Sequence, residues 1–278
     1  MTTRPTAVAG MFYPGDPGEL DGMVRGYLAQ AAAEAGDAPV PKAIIAPHAG
    51  YPFSGPVAAS VYARLAPAKG TITRVVLIGP SHRVPFRGLA LSSADAYATP
   101  MGDVPLDRDL AGRLAELPEV TVLDQAHAQE HSLEVHLPFL REVLGDFSLV
   151  PLVAGAASPE QVARVLDAAW GGPETLIVVS SDLSHFLDYD TAKAFDAETV
   201  ARIEALNPDL DGERACGHVG ISGLLHLARR RGLGIETLDV RNSGDTAGPR
   251  DRVVGYGAWA LTEPEDGPGG RRDSRAAG

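Results

Sequence analysis

One cysteine, Cys216, stands in 278 residues, so no disulfide can close within the chain and thiol chemistry has one place to occur. Long apolar runs are also missing. Stretches such as VVLIG and LIVVSS fall far short of the roughly 20 residues that a membrane-spanning helix needs, and read as buried strands instead. Basic charge is scarce: 24 Lys and Arg face 36 Asp and Glu, for a formal net charge of −12. That balance argues against nucleic acid or an anionic membrane as partner and leaves a small-molecule substrate or a peptide. The opening MTTRPTAVAG lacks the charged-then-apolar profile of a secretory signal, so the expected location is cytoplasmic. Three chemical signatures are absent as well: a GxSxG nucleophile elbow, a GxxxxGK(S/T) phosphate loop, and a GxGxxG after the first strand. Serine hydrolases, P-loop nucleotide hydrolases and dinucleotide dehydrogenases are set aside with them.

What remains is a chain 45% hydrophobic, long enough to bury one large core. From Lys42 onward, short β-branched runs alternate with Ala- and Leu-rich stretches, the pattern of an α/β domain built on a mainly parallel mixed sheet flanked by helices. The expected strands are Ala43 to Ala46, Arg74 to Ile78, Phe147 to Val153, Thr175 to Ser180, Gly234 to Val240 and Val253 to Leu261. Helices are expected over Glu19 to Glu34, Gly55 to Leu65, Leu106 to Leu114, His131 to Leu144, Pro159 to Ala169, Thr191 to Ala205 and Gly217 to Arg231. The Pro- and Gly-punctuated residues through Pro17 read as an extended arm. No linker divides the chain, so residues 1–262 form one domain. The polar EPEDGPGGRRDSRAAG, residues 263–278, reads as a disordered tail.

The polar residues fall at telling positions. IIAPH ends in His48, VVLIGPSH ends in His82, and LIVVSSDLSH carries Asp182 and His185 just past its apolar run. In parallel α/β sheets the ligand crevice lies beyond the carboxyl ends of the strands, so these side chains can converge despite their separation. Two imidazoles from different loops are ordinary ligands for Fe, Cu or Zn, and a third protein ligand would leave positions open for substrate. Cys216, Asp182 and His185 are the candidates for that third place. Cys216 precedes a predicted helix, whose N-terminus favours thiolate; a lone cysteine there also serves as a small buried hydrophobe, and spacing does not decide between the two. In QEHSLEVHLPFL, His131 and Glu134 sit at helical spacing and, with Tyr51 and Ser81, are candidate pocket-lining residues. His136 reads as a locally hydrogen-bonded helix residue, and His127, His218 and His226 receive no role. A metal-free Cys-His nucleophile pair, Cys216 with His185 or His48, remains a second chemistry open to this constellation.

In order along the chain, AGMFYPGDP, IAPHAGYPFSG, GPSH, EHSLEVHLPFL, SSDLSHF and CGHVGI resemble the Memo family, whose bacterial and archaeal members are labelled AmmeMemoRadiSam system protein B. The matches run from Met11 to Trp259. The resemblance implies a fold like the class III extradiol dioxygenases of the LigB type, which hold non-haem Fe(II) at a sheet end. Carried over by motif, His48, His82 and Cys216 resemble the metal ligands. His185 stands in the place of the dioxygenases' acid/base histidine, with Asp182 beside it. A thiolate would then replace the carboxylate of the two-His-one-carboxylate site, which brings Cu or Zn into view beside Fe(II). The resemblance also implies pathway partners of the radical-SAM and AMMECR types. The function it implies is an iron-dependent, dioxygenase-like oxidoreductase acting on a small aromatic molecule. Its rivals are a non-catalytic copper- or iron-binding or peptide-binding redox module and the metal-free hydrolase.

Overall fold

Four runs in this sequence are apolar on both faces, and they form the centre of the sheet. In the computed structural model, which describes residues 2–32 and 38–264, Ala43–Ala46, Thr175–Ser180, Arg74–Pro80 and Ser148–Ala154 lie side by side and parallel. Ile44, Leu77, Leu149 and Val178 point into one hydrophobic layer, covered by the helices Pro17–Ala32, Tyr51–Tyr62 and Leu137–Leu144. Ile45, Val76, Val150 and Val179 point into the other, covered by Pro159–Ala168 and His218–Arg231. Two buried faces explain why these strands read as continuous apolar runs rather than as an alternation. Burying each such side chain contributes about 1.5–3 kcal/mol, so the central strands are the best-anchored part of the fold.

Antiparallel strands extend the sheet. On one side Val253–Thr262 pairs antiparallel with Ala43–Ala46, and also with Gly234–Asn242 and His185–Leu187. On the other, Leu89–Leu91 runs antiparallel to Ser148–Ala154 and carries Val120–Val122 parallel beside it. Among the described residues the nine-stranded sheet is therefore evenly mixed rather than mainly parallel as expected, its parallel pairing confined to the four central strands and the outer pair Leu89–Leu91 and Val120–Val122. Parallel neighbours need a long crossover such as a helix, and of the antiparallel pairs only Gly234–Asn242 with Val253–Thr262 is a direct return between consecutive strands.

Ala43–Ala46 and Thr175–Ser180 have the bounds expected from sequence. The expected helix over His131 to Leu144 does not form as one piece. Glu134–His136 is a single 3-10 turn, and the α-helix starts only at Leu137, where Pro138 in the first turn has no N–H to leave unpaired. His131 thus sits in a turn. The N-terminal arm is more than extended: Thr3–Arg4 pairs with Ala96–Tyr97, which pairs with Val104–Pro105, in a separate three-stranded sheet. Of the expected tail only Glu263 and Pro264 are described; the rest, with residues 33–37, lies outside the described residues. Among the described residues no helix is long and apolar enough to cross a membrane.

Candidate metal centre

Ala43–Ala46 and Arg74–Pro80 flank Thr175–Ser180, so the loops that leave their carboxyl ends start about 10 Å apart, twice the strand spacing. His48 and His82, each two residues past its strand, close that gap from both sides until their rings meet edge to face at 5.2 Å between centroids. His131 comes over from the turn before Glu134–His136. Its ring stacks on His82 at 4.6 Å and stands edge-on to His48 at 5.4 Å. One ligand atom from each of the three rings lies within 4.8 Å of the others, the geometry of a group that can hold a metal ion. Phe12, from the arm, tilts against the outer side of His131 at 4.8 Å. His48 is fully buried while the His82 side chain is 29% exposed, so the group opens to solvent on the His82 side.

Two residues that sequence reading did not single out hold these rings. Glu130, buried, accepts from the His82 backbone N–H at 2.6 Å and meets His82 Nδ1 at 2.9 Å. Burial works against its charge, but the His82 and Ser132 hydrogen bonds overcome it and draw its carboxyl down to about 2. Ser180 Oγ lies 2.6 Å from His48 Nδ1. Burial, reinforced by the neighbouring imidazoles, keeps His48 well below the ordinary histidine range, and burial brings His131 down to about 4. Both rings are neutral at neutral pH, the state in which imidazole binds metal. The signals that could have found these two were an acid directly before His131 and a hydroxyl ending an otherwise apolar strand.

Cys216 lies beside His48 but outside the group of three: its Sγ is 3.3 Å from His48 Nε2 and accepts from the Asp182 N–H at 3.3 Å. Gly217 lets the turn approach this closely, since a Cβ there would collide with the Ser180 carbonyl. Burial first, and the Asp182 charge second, push the Cys216 thiol up to about 12. The third donor of the mutual cluster is His131, while Cys216, which the family resemblance puts among the metal ligands, stands against His48. Asp182 accepts from the His48 N–H at 2.8 Å and is raised to about 6 by burial. His185 is half-buried on its short strand, its ring 5.6 Å from that of Phe186.

The remaining expected lining residues divide. Ser81 donates to the Val84 carbonyl at 2.6 Å and, with Cys216, Val84, Phe86, Gly155 and His218, lines a recess of about 330 Å³ next to the cluster. Tyr51 is buried in the core and donates to the Val135 carbonyl at 2.7 Å. Glu134, wholly buried, accepts from Ala7 N–H at 2.7 Å, Val8 N–H at 3.0 Å and Tyr13 OH at 2.6 Å, and pairs with Arg4. It fastens the arm, and with all those donors its carboxylate is unavailable to the recess. His136 is buried against Tyr62, and burial lowers it to about 3.

Fold and site together define a class: single-domain α/β proteins in which a three-histidine group of metal-binding geometry gathers where the central parallel strands end. The Memo-like protein family matches residues 4–260. A MEMO1 family protein from Desulfurococcus amylolyticus is 33% identical over 280 residues, covering 93% of this chain and 98% of its own. One from Aquifex aeolicus is 35% identical over 274 residues, covering 92% and 98%. The chain belongs to the Memo family. A solved structure of an uncharacterized protein, JW3007 from Escherichia coli K12, shares the fold at a TM-score of 0.51 and 16% identity, over 78% of this chain and 98% of that one.

Proposed function

We propose that this chain binds a single metal ion through His48, His82 and His131 and acts there as a non-haem, dioxygenase-like oxidoreductase on a small aromatic molecule. The observation that carries the reading is the mutual approach of three imidazole donors within 4.8 Å, with buried His48 and half-buried His131 both held neutral. No proton has to leave His48 or His131 for an ion to enter. Cys216 would need to lose one, and its burial makes that costly, so it stands as a fourth donor that a soft ion such as Cu(I) would recruit. Fe(II) is the ion that the proposed chemistry calls for, and Cu and Zn compete for the same imidazole set. When bound, such an ion supplies Lewis acidity and open coordination positions, and iron adds redox chemistry with oxygen.

The chain's own residues take the other roles. The recess beside Ser81 and Cys216 has the volume for a small ring, at the low end of ligand pockets. His185, half-buried and near enough to His48 and Asp182 to act on both electrostatically, moves a proton to or from the substrate, and Asp182 orients the His48 loop through its backbone N–H. Fe(II)-dependent oxygen uptake that disappears in His185→Ala supports this assignment; full uptake in that variant overturns it.

A second reading, a copper- or iron-binding or peptide-binding redox module, is favoured by the thiol held beside His48. It predicts stoichiometric metal binding with no substrate turnover. The metal-free Cys-His hydrolase has its pair in place at 3.3 Å, but a thiol raised to about 12 is a poor nucleophile where a lowered one is needed. Metal analysis of anaerobically purified protein after separate loading with Fe(II), Cu(I) and Zn(II), beside His131→Ala and Cys216→Ser, ranks these readings.

A further inference from the structure

Ser180 has one hydroxyl hydrogen, and its position is fixed by what surrounds it. Ser180 Oγ lies 2.6 Å from the Ser132 carbonyl oxygen, which can only accept, so the hydrogen is committed there. The 2.6 Å contact between Ser180 Oγ and His48 Nδ1 must then run the other way, with the ring donating. A neutral imidazole carries one N–H. If that hydrogen is on Nδ1, His48 Nε2 is a bare lone pair, and it faces the Cys216 thiol at 3.3 Å. The same reasoning holds for His82. Its Nδ1 meets the Glu130 carboxylate, an acceptor, at 2.9 Å, which in the neutral ring again leaves Nε2 bare.

Ser132 joins the two arrangements. Its N–H donates to Glu130 Oε1 at 2.9 Å, its carbonyl accepts from Ser180, and its hydroxyl donates to the Pro80 carbonyl at 2.9 Å, at the end of the strand that leads to His82. The strand makes room for it with Gly79, where a Cβ would come within 2.8 Å of Ser132 Oγ and 2.9 Å of Leu133 Cδ2. The opposite arrangement occurs in the same molecule. His127 Nε2 is 3.0 Å from the Ala90 carbonyl, so its hydrogen is on Nε2, and its Nδ1 accepts from Tyr97 OH at 2.6 Å.

We infer that Ser180 and Glu130, joined through Ser132, are positioning residues that hold His48 and His82 as Nδ1–H tautomers, so that both rings offer Nε2 to one ion. The inference deepens the metal reading and rests on it only for the consequence, not for the tautomers themselves, which are set in the metal-free protein. An orienting partner on the far nitrogen of a ligand histidine is worth about 10- to 100-fold in metal affinity.

The test uses metal-free, ¹⁵N-histidine-labelled protein and a long-range ¹H–¹⁵N correlation spectrum at about pH 8, where neutral rings dominate. His48 and His82 are expected protonated on Nδ1, with His127 protonated on Nε2 as the internal reference. Ser180→Ala should move His48 toward the Nε2–H form, leave His82 and His127 unchanged, and weaken Zn(II) binding about 10- to 100-fold. A wild-type His48 protonated on Nε2, or a His48 tautomer unmoved in Ser180→Ala, overturns the inference. The wild-type spectrum decides by itself if the variant does not fold. Nδ1–H tautomers in a protein that takes up no Zn(II) would uphold the inference and sink the metal reading. Zn(II) binding by a protein whose His48 carries its hydrogen on Nε2 would do the reverse.

Discussion

Two carboxylates four residues apart, Glu130 and Glu134, belong to one short segment and do different work. Glu134 sits in a closed network: Arg4, Ala7, Val8 and Tyr13 fill its oxygens, and no part of it reaches solvent. Glu130 is as buried, yet its partners are the ring and backbone of His82, whose side chain reaches solvent. The histidines of the segment divide in the same manner. His127 uses both nitrogens on Tyr97 and Ala90, whereas His131 turns toward two other imidazoles. Burial and residue type do not separate a structural acid or imidazole from a functional one. What separates them is what they are bonded to: Glu134 and His127 hold arm and core groups, whereas Glu130 and His131 face the group of imidazoles.

The sharpest way to break this contrast is to remove one member from each side. His48→Ala should abolish metal binding, from about one equivalent of Zn(II) to less than about a tenth, while unfolding free energy stays within about 2 kcal/mol of wild type. Metal analysis and chemical denaturation check the two halves. Glu134→Ala should do the opposite. It strands the buried Arg4 guanidinium and costs about 3–5 kcal/mol in denaturant unfolding, with Zn(II) stoichiometry retained.

The closed side also predicts a pH effect. Burial holds His127 at about 4, below its ordinary 6.5, so between those values the unfolded chain takes a proton that the folded chain refuses. Its contribution to stability is complete above about pH 6.5 and is lost as pH falls toward 4. The acid limb of a stability curve should therefore be shallower in His127→Gln by about 1.4 kcal/mol per pH unit. At the small end, His226, 3.8 Å from the exposed Glu160, belongs to neither network, and His226→Ala should move stability by less than about 0.5 kcal/mol.

How far the sequence reaches follows the same division. The central strands were legible because a strand buried on both faces is a local run of apolar residues, and Ala43–Ala46 and Thr175–Ser180 could be bounded at their ends. His48 and His82 were legible as candidates because each follows such a run. Ser180 and Glu130 were not, because what they touch lies 132 and 48 residues away in the chain. His131 was placed on a helix because the spacing of EHSLEVH fits one. Pro138 and the hydrogen bonds of Glu130 and Glu134 shape that stretch instead, and none of these is a periodic signal. The strands Leu89–Leu91, Val120–Val122 and His185–Leu187 are too short to carry a period of their own.

The clasp between Arg4 and Glu134 also bears on the order of events during synthesis. The arm is made before its buried anchor, which comes 130 residues later. The arm can pair with Ala96–Tyr97 before that, but the Arg4 charge has no buried carboxylate until Glu134 is made, so a segment made early is fastened late. An interaction that forms after the folding barrier is crossed governs escape rather than arrival. Loosening the clasp in Glu134→Ala should therefore appear in stopped-flow traces as faster unfolding, with refolding close to the wild-type rate.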